Sequence, residues 1–512
     1  MSKTPSDKLF RLIHSLSGPE LRYVSIYLKR QAVRKDQKYF LLFQTIAAQD
    51  VQDETALQKV VYGTEKITSR KYSQLKAYLY QAILSALQLY DEGTSVVYKL
   101  SNLLQQVQVL YNRSHYRECQ ELLAKGKKIG EEHEFFLELI EIIDWKKKIA
   151  YAREDIAFLD VELEKMDVEE QEHIARIRNI STYQRMLYQL IVSRRKYAVL
   201  RSDDQKQWLT DMLSDPLLQS PEKALSIRAR ILYFRIRSNA AYSMVKYEDF
   251  YKFSLEQISL MEKHLVLLKE DKSAYIYGMT NLILACGLLG KYDEVKDNLL
   301  KFKDLKGNSK DDDFRIFKHY NALSFRLCIQ TGDFEEGWNV LQKHLKDLPK
   351  YEGQSLERGS FYFQYFYISF GKGSYDEALK YLNAWLNLPR SIEREDLQSL
   401  ARMLNLIIHY EMDNTVLLES LIKNTYRYLK RKNQVYEFEK TLLQFFQQIV
   451  KEVDKKSLAM AREALKKAIE ALSQQPSEKI LLEYFDFTSW IESKINKIPF
   501  ATVVANRYNQ AK

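Results

Sequence analysis

Gly290-Lys-Tyr-Asp-Glu-Val295, Gly332-Asp-Phe-Glu-Glu-Gly337 and Gly373-Ser-Tyr-Asp-Glu-Ala378 are three copies of one turn. Their aromatics, Tyr292, Phe334 and Tyr375, lie 42 and 41 residues apart, and a looser copy, Val245-Lys-Tyr-Glu-Asp-Phe250, sits 45 residues before the first. A period of this size marks stacked helical hairpins, which cannot bury their apolar faces alone and therefore repeat. The chemistry of the turn supports this. One helix ends, glycine accepts the left-handed backbone beyond its last turn, and a second helix begins. The acidic pair Asp293-Glu294, Glu335-Glu336 or Asp376-Glu377 then falls in the first turn of that second helix, where carboxylates oppose the positive end of the dipole. The aromatic before the pair packs back between the helices, and Gly337 or Ala378 allows a close approach. Recurrence in copy after copy makes these carboxylates capping groups rather than catalytic acids.

Composition points the same way. Among 512 residues there are 15 Gly and 8 Pro, far below the roughly 12% that ordinary usage would give. The apolar share of 46% suffices for a continuous core, and the charged share of 29% for a wet surface. The expected fold is all-α: a right-handed α-solenoid of stacked hairpins with a period of about 42 residues, preceded by an N-terminal helical domain.

At these junctions the chain resembles the tetratricopeptide repeat, whose consensus places Gly, a variable residue, Tyr, Asp-Glu and Ala here. Pro349 falls fifteen residues after Phe334, where that family ends its second helix, and Pro389 is one residue off the same place after Tyr375. The chain departs from the family in its period, near 42 rather than about 34, and in lacking most of the first-helix Trp, Leu-Gly and Tyr signature. The resemblance covers roughly residues 230–390 and implies an extended, irregular repeat protein that binds other proteins and does no chemistry. Residues 417–432 and 436–439 also resemble the C-terminal part of bacterial repeat proteins of no assigned activity.

Outside that span the pattern decays. Asn112-Arg-Ser-His-Tyr116-Arg-Glu-Cys119 reads as a further junction, residues 134–200 as long helices with Glu/Lys faces, and residues 404–431 as a degenerate hairpin. Helices at about 433–452, 455–473 and 478–494 are expected to finish the stack, Pro476 separating the last two, with residues 499–512 loose. The domains so read are 1–92, a basic helical block; 93–475, the repeats; and 476–512, a capping helix and tail.

Within residues 1–90, apolar spacing predicts helices at about 6–16, 19–34, 37–48, 53–61 and 68–90. This block holds 14 Lys/Arg against 7 Asp/Glu, seven of the chain's net +10. Lys29, Arg30, Arg34, Lys35 and Lys38 form a basic patch, which attracts nucleic acid or an acidic protein. Charge at a helix C-terminus also answers the dipole, and no zinc finger, RNA-binding signature or recognition helix accompanies it.

Catalytic and metal motifs fail on spacing. Gly371-Lys-Gly-Ser374 has Phe366 where a phosphate loop needs Gly, and Gly373 where it needs Ser or Thr. Glu131-Glu-His-Glu134 lacks the second His of a zinc protease, and Asp311-Asp-Asp313 caps a helix rather than opening a calcium loop. Cys286 and Cys328, each six residues before a repeat aromatic, read with Cys119 as small core residues in a reducing compartment. No metal or cofactor is expected. The first residues lack the apolar stretch of an export signal, and the longest apolar windows, 279–289 and 361–370, are shorter than the roughly 20 residues of a membrane span. The reading is a cytoplasmic protein without membrane insertion.

The family's first helices line a concave face. Counting back from each junction assigns to that face Arg235, Asn239 and Tyr242; Tyr277 and Thr280; His319 and Arg326; and Phe363 and Tyr367. Arg and Asn suit carboxylates or peptide carbonyls, and Tyr and Phe supply rigid anchors. The run Phe361-Tyr-Phe-Gln-Tyr-Phe-Tyr367 exceeds one helical face, so part of it is expected to be open to a groove or a partner. The function expected is a non-enzymatic scaffold or adaptor for a peptide or protein segment. The alternative is a peptide-sensing regulator whose basic block contacts nucleic acid or a signalling protein.

Overall fold

Tyr247, Tyr292, Phe334 and Tyr375 are each the first residue of an α-helix. In the computed structural model, which describes residues 7–32, 37–49, 51–63, 68–93, 95–196, 203–351, 358–388, 395–431, 436–451, 454–475, 478, 482 and 484–510, the residue two places before each of these aromatics is left-handed. Gly290, Gly332 and Gly373 hold φ of 71°, 75° and 82°, and Val245 holds 60° without being glycine. The same geometry recurs where no glycine advertises it: Ser114, Glu134, Glu154 and Asp413 have φ of 58°, 53°, 53° and 55°. The helices after them open at Tyr116, Phe136, Ile156 and Thr415, again two residues on. At these turns the next N–H reaches back five residues, as in Lys291 to Cys286 (2.9 Å), Lys246 to Ala241 (2.9 Å), Phe135 to Gly130 (2.8 Å) and Asn414 to His409 (3.0 Å). This is the Schellman closure, which satisfies carbonyls that a helix end leaves open.

The chain divides into two units, Met1–Ile177 and Arg178–Lys512. The first contains α1 (Lys8–Ser15), α2 (Gly18–Ala32), α3 (Lys38–Ala47), α4 (Glu54–Tyr62), α5 (Ser69–Glu92), α6 (Val96–Tyr111), α7 (Tyr116–Glu132), α8 (Phe136–Ala152) and the start of α9 (Ile156–Lys196). Leu9, Ile13, Leu28, Phe43, Leu57 and Ile83 form an apolar core confined to α1–α5. Thr68 and Asp53 cap α5 and α4 by accepting from backbone N–H groups of the first turn. Beyond them α6 packs on α7, and both pack on α8.

The second unit continues with α10 (Asp203–Leu213) and the pairs α11 (Ile227–Ser243) with α12 (Tyr247–Lys263), α14 (Lys272–Leu288) with α15 (Tyr292–Lys303), and α16 (Lys310–Thr331) with α17 (Phe334–Asp347). A short α13 (Leu265–Glu270) precedes α14. Then follow α18 (Arg358–Gly371) with α19 (Tyr375–Leu386), α20 (Glu395–Glu411) with α21 (Thr415–Arg431), α22 (Glu437–Lys451) with α23 (Lys455–Leu472), and α24 (Phe487–Asn496) with α25 (Phe500–Gln510). The protein is all-helical, with no strand among the described residues, and its helices pack as in a helical repeat: α14 touches α15 and α16, and α16 touches α17 and α18. Gln330 Nε2 donates to Gly287 O (3.4 Å) and Gln364 Nε2 to Ala322 O (2.9 Å), tying neighbouring first helices side chain to backbone. Close approach needs the small residues: a Cβ at Gly337 would stand 2.5 Å from Ile368 Cδ1, and Ala378 is fully buried. No described helix is long and apolar enough to cross a membrane.

Three expectations fail in this unit. Residues 499–512 were read as loose, yet 500–510 form α25, which packs against α24 and the end of α16. A Cβ at Gly332 would stand 2.6 Å from Ala505 N. The aromatic run 361–367 was expected to be partly open. Instead Phe361, Tyr365, Phe366 and Tyr367 are buried, and Tyr362, Phe363 and Gln364 are half-buried. Phe361 and Tyr365 are covered by Phe325 and His344, and Phe366 and Tyr367 by the chain's own C-terminal segment. Phe485 and Phe500 stack on each other (5.8 Å), and Tyr367 lies 4.9 Å and 6.3 Å from them. The helix expected at 478–494 is interrupted: residues 478 and 482 are helical, 484–486 are not, and a helix opens again at Phe487.

Candidate functional site

Three first helices bring charged and aromatic groups together on one face. Arg235 extends from α11 so that its Cζ lies 5.1 Å from the ring centre of Tyr277 on α14. Arg315 on α16 stacks on the same ring at 5.6 Å, and its Nη1 donates to the Tyr277 hydroxyl. Four residues further along α16, hence on the same side, His319 meets Tyr277 edge-on at 5.3 Å. Asp311, four residues before Arg315, accepts from its Nε at 2.6 Å. Arg235, Tyr277, Arg315 and His319 are all half-buried.

The electrostatics of the cluster are uneven. Asp311 and the Tyr277 hydroxyl satisfy Arg315 and hold its pKa up. Arg235 is the opposite case: desolvation pulls its pKa down, and Arg315 adds repulsion against the attraction of Asp271 and two tyrosines. Asp271 is committed elsewhere, capping α14 by accepting from Ala274 N at 3.0 Å. Burial pushes the His319 imidazole down to about 3, so it is neutral at physiological pH. Its Nε2 is buried without a hydrogen-bond partner. The cluster thus presents one cationic fork and one unbonded imidazole nitrogen around a fixed aromatic ring.

The other residues assigned to this face lie elsewhere or are spoken for. Asn239 is buried and donates to Arg235 O (2.7 Å), and Tyr242 packs on Phe250 of its own hairpin (5.2 Å). Thr280 donates to Ile276 O at 2.7 Å. Arg326 stands within electrostatic reach of Tyr292, with a buried Nε that has no partner. Phe363 packs on Trp385 (5.4 Å) and Tyr484 (6.2 Å). The Tyr367 hydroxyl, read as facing a groove, accepts from Asp486 N at 2.9 Å inside the core. Of the residues counted back from the junctions, Arg235, Tyr277 and His319 come together; Arg315, which joins them, was not among those counted, and its i,i+4 spacing to His319 was the available signal.

In the basic block, Lys29 and Arg30 are exposed in the last turn of α2, where they answer its dipole. Lys38 lies 4.6 Å over the ring of Tyr62, while Arg34 and Lys35 fall outside the described residues. All three cysteines are buried, and burial pushes Cys286 and Cys328 up to about 12, which leaves them inert as nucleophiles. Among the described residues no group of three or more His, Cys, Asp or Glu is placed to hold a metal ion. Comparison with family models, with curated proteins and with solved structures finds no match.

Proposed function

We propose that residues 93–475 form a right-handed, tetratricopeptide-like α-solenoid with a period of about 42 residues, and that the protein is a cytoplasmic, non-enzymatic scaffold. It captures a peptide or protein segment along the face made by α11, α14 and α16. The observation that carries this reading is the meeting of Arg235, Tyr277, Arg315 and His319 from three successive first helices, with polar atoms left unbonded. Directed polar groups around a rigid aromatic are what a recognition surface needs, because they fix orientation at little entropic cost.

The test is affinity capture from the native cell with the full chain, with and without nuclease, beside Thr280→Arg. Thr280 is half-buried on α14, one turn from Tyr277, and a long cation there obstructs the face. A retained protein that survives nuclease and is lost in Thr280→Arg is the expected result. Retention indifferent to Thr280→Arg removes this face from the proposal. Loss of all retained material on nuclease transfers the function to the basic block and the regulator reading.

A further inference from the structure

The reading above rests on the face as a whole; the charge on Arg235 says what its centre binds. A guanidinium removed from water is costly unless it is paired and hydrogen-bonded. Among the described residues, the guanidinium of Arg235 has no hydrogen bond and no ion pair; it lies half-buried over the Tyr277 ring, with Asp271 attracting it and Arg315 repelling it from beyond ion-pair distance. The nearest candidate counter-ions are committed: Asp311 to Arg315 and Asp271 to the α14 N-terminus. Beside it stands the second unsatisfied group, the buried Nε2 of His319. An unbonded cationic fork thus stands over the same aromatic ring that His319 borders edge-on.

We infer that this cluster is a binding site for a carboxylate carried by a peptide, with Arg235 as the bidentate partner. The planar fork of arginine matches the two oxygens of a carboxylate. Arg315 is already paired with Asp311, which leaves the Arg235 fork, itself without an ion pair, to meet an anion. Tyr277 holds the Arg235 fork from below and orients Arg315 through its hydroxyl, so the donors are positioned before the ligand arrives.

Fluorescence anisotropy at low salt tests this with three labelled eight-residue peptides. They are an alternating Gly-Glu peptide amidated at its C-terminus, a Gly-Ser peptide with a free C-terminal carboxylate, and the Gly-Ser amide. At least one carboxylate peptide is expected to bind tenfold or more tightly than the amide, and the better of the two identifies a side-chain or a terminal carboxylate. Arg235→Met is expected to erase that tenfold preference while the ligand-free melting temperature holds or rises, since a half-buried charge without an ion pair has been removed. Arg235→Lys, which keeps the charge and loses the fork, is expected to weaken binding about fivefold and guards against misfolding of the first variant. Equal binding of all three peptides, or a carboxylate preference unchanged in both Arg235 variants, overturns the assignment. Cellular capture that survives Arg235→Met but not Thr280→Arg discards the carboxylate and leaves the scaffold standing. Capture indifferent to Thr280→Arg discards the scaffold even if the peptides bind.

Discussion

Val245 occupies a backbone position that suits it poorly. At φ 60° its Cβ crowds the neighbouring carbonyl, and branching leaves no rotamer that relieves this. The left-handed conformation costs an L-residue roughly 1–2 kcal/mol, while a glycine there gives back about 0.5–1 kcal/mol in backbone entropy. Val245→Gly is therefore expected to raise stability by about 0.5–1 kcal/mol, seen as a higher urea midpoint of the second unit's transition. Gly373→Ala, with nothing within 4 Å of the new Cβ, isolates the backbone term and is expected to lower the midpoint by about 1 kcal/mol. A loss in Val245→Gly would mean that contacts of the half-buried valine outweigh its strain. The same residues show what the sequence conceals. Glycine at three junctions announces the turn; at Ser114 and Asp413 only the surrounding pattern does, and at Glu134 and Glu154, inside a stretch read as long helices, nothing does. The turn there is carried by the backbone, and composition at a single position does not report it.

At the scale of helices, His344 of α17 is the most consequential contact that the pattern did not disclose. Its ring lies between Phe317 of α16 (4.9 Å, 7° between planes) and Phe361 of α18 (5.1 Å, 6°), with Nε2 and the Tyr365 hydroxyl 2.6 Å apart. Burial pushes the imidazole down to about 4. The unfolded chain takes up the proton near pH 6.5 and the folded chain does not, so unfolding binds a proton in between. Stability is thus whole above about pH 6.5 and falls as pH drops towards 4, by up to about 3 kcal/mol for this group. His344→Phe is expected to melt earlier at pH 7, because the Tyr365 hydroxyl loses its partner, and to show a shallower fall in melting temperature between pH 6.5 and 4. An unchanged slope would place the acid sensitivity elsewhere. No local window foresees this sandwich, since its members come from three helices. By the same logic, counting 12 or 15 residues back from the junctions picks out Arg235, Tyr277 and His319, which do come together, but cannot tell which stretch of the face is filled from elsewhere in the chain.

At the largest scale, what filled it was the C-terminus, and the reason it was unreadable is separation along the chain. The Tyr367 hydroxyl meets Asp486 across 119 residues, and Tyr292 meets Tyr508 at 4.9 Å across still more. Taken alone, residues 499–512 show only a short helical pattern with no repeat junction, which reads as a tail. What holds the segment down is Glu411 at the end of α20, its side chain 2% exposed. One carboxylate oxygen accepts from Trp490 Nε1 at 2.7 Å; the other accepts from the Tyr375 hydroxyl at 3.0 Å and pairs with Lys494. Trp490 is itself fully buried among Tyr410, Phe445 and Phe446. Removing one partner of such a network leaves the rest desolvated and unbonded, a loss of about 3 kcal/mol. Glu411→Ala is therefore expected to destabilise the second unit by that amount and to free its end first. Amide hydrogen exchange in α24 and α25 should accelerate well before exchange in α11 and α14, which make none of these contacts. Lys494→Met, which removes only the partly exposed cation, should cost far less, because Trp490 and Tyr375 still find the carboxylate. Equal losses in the two variants would make the ion pair the fastening; acceleration spread evenly over all these helices would make the C-terminal segment inseparable from the cooperative core.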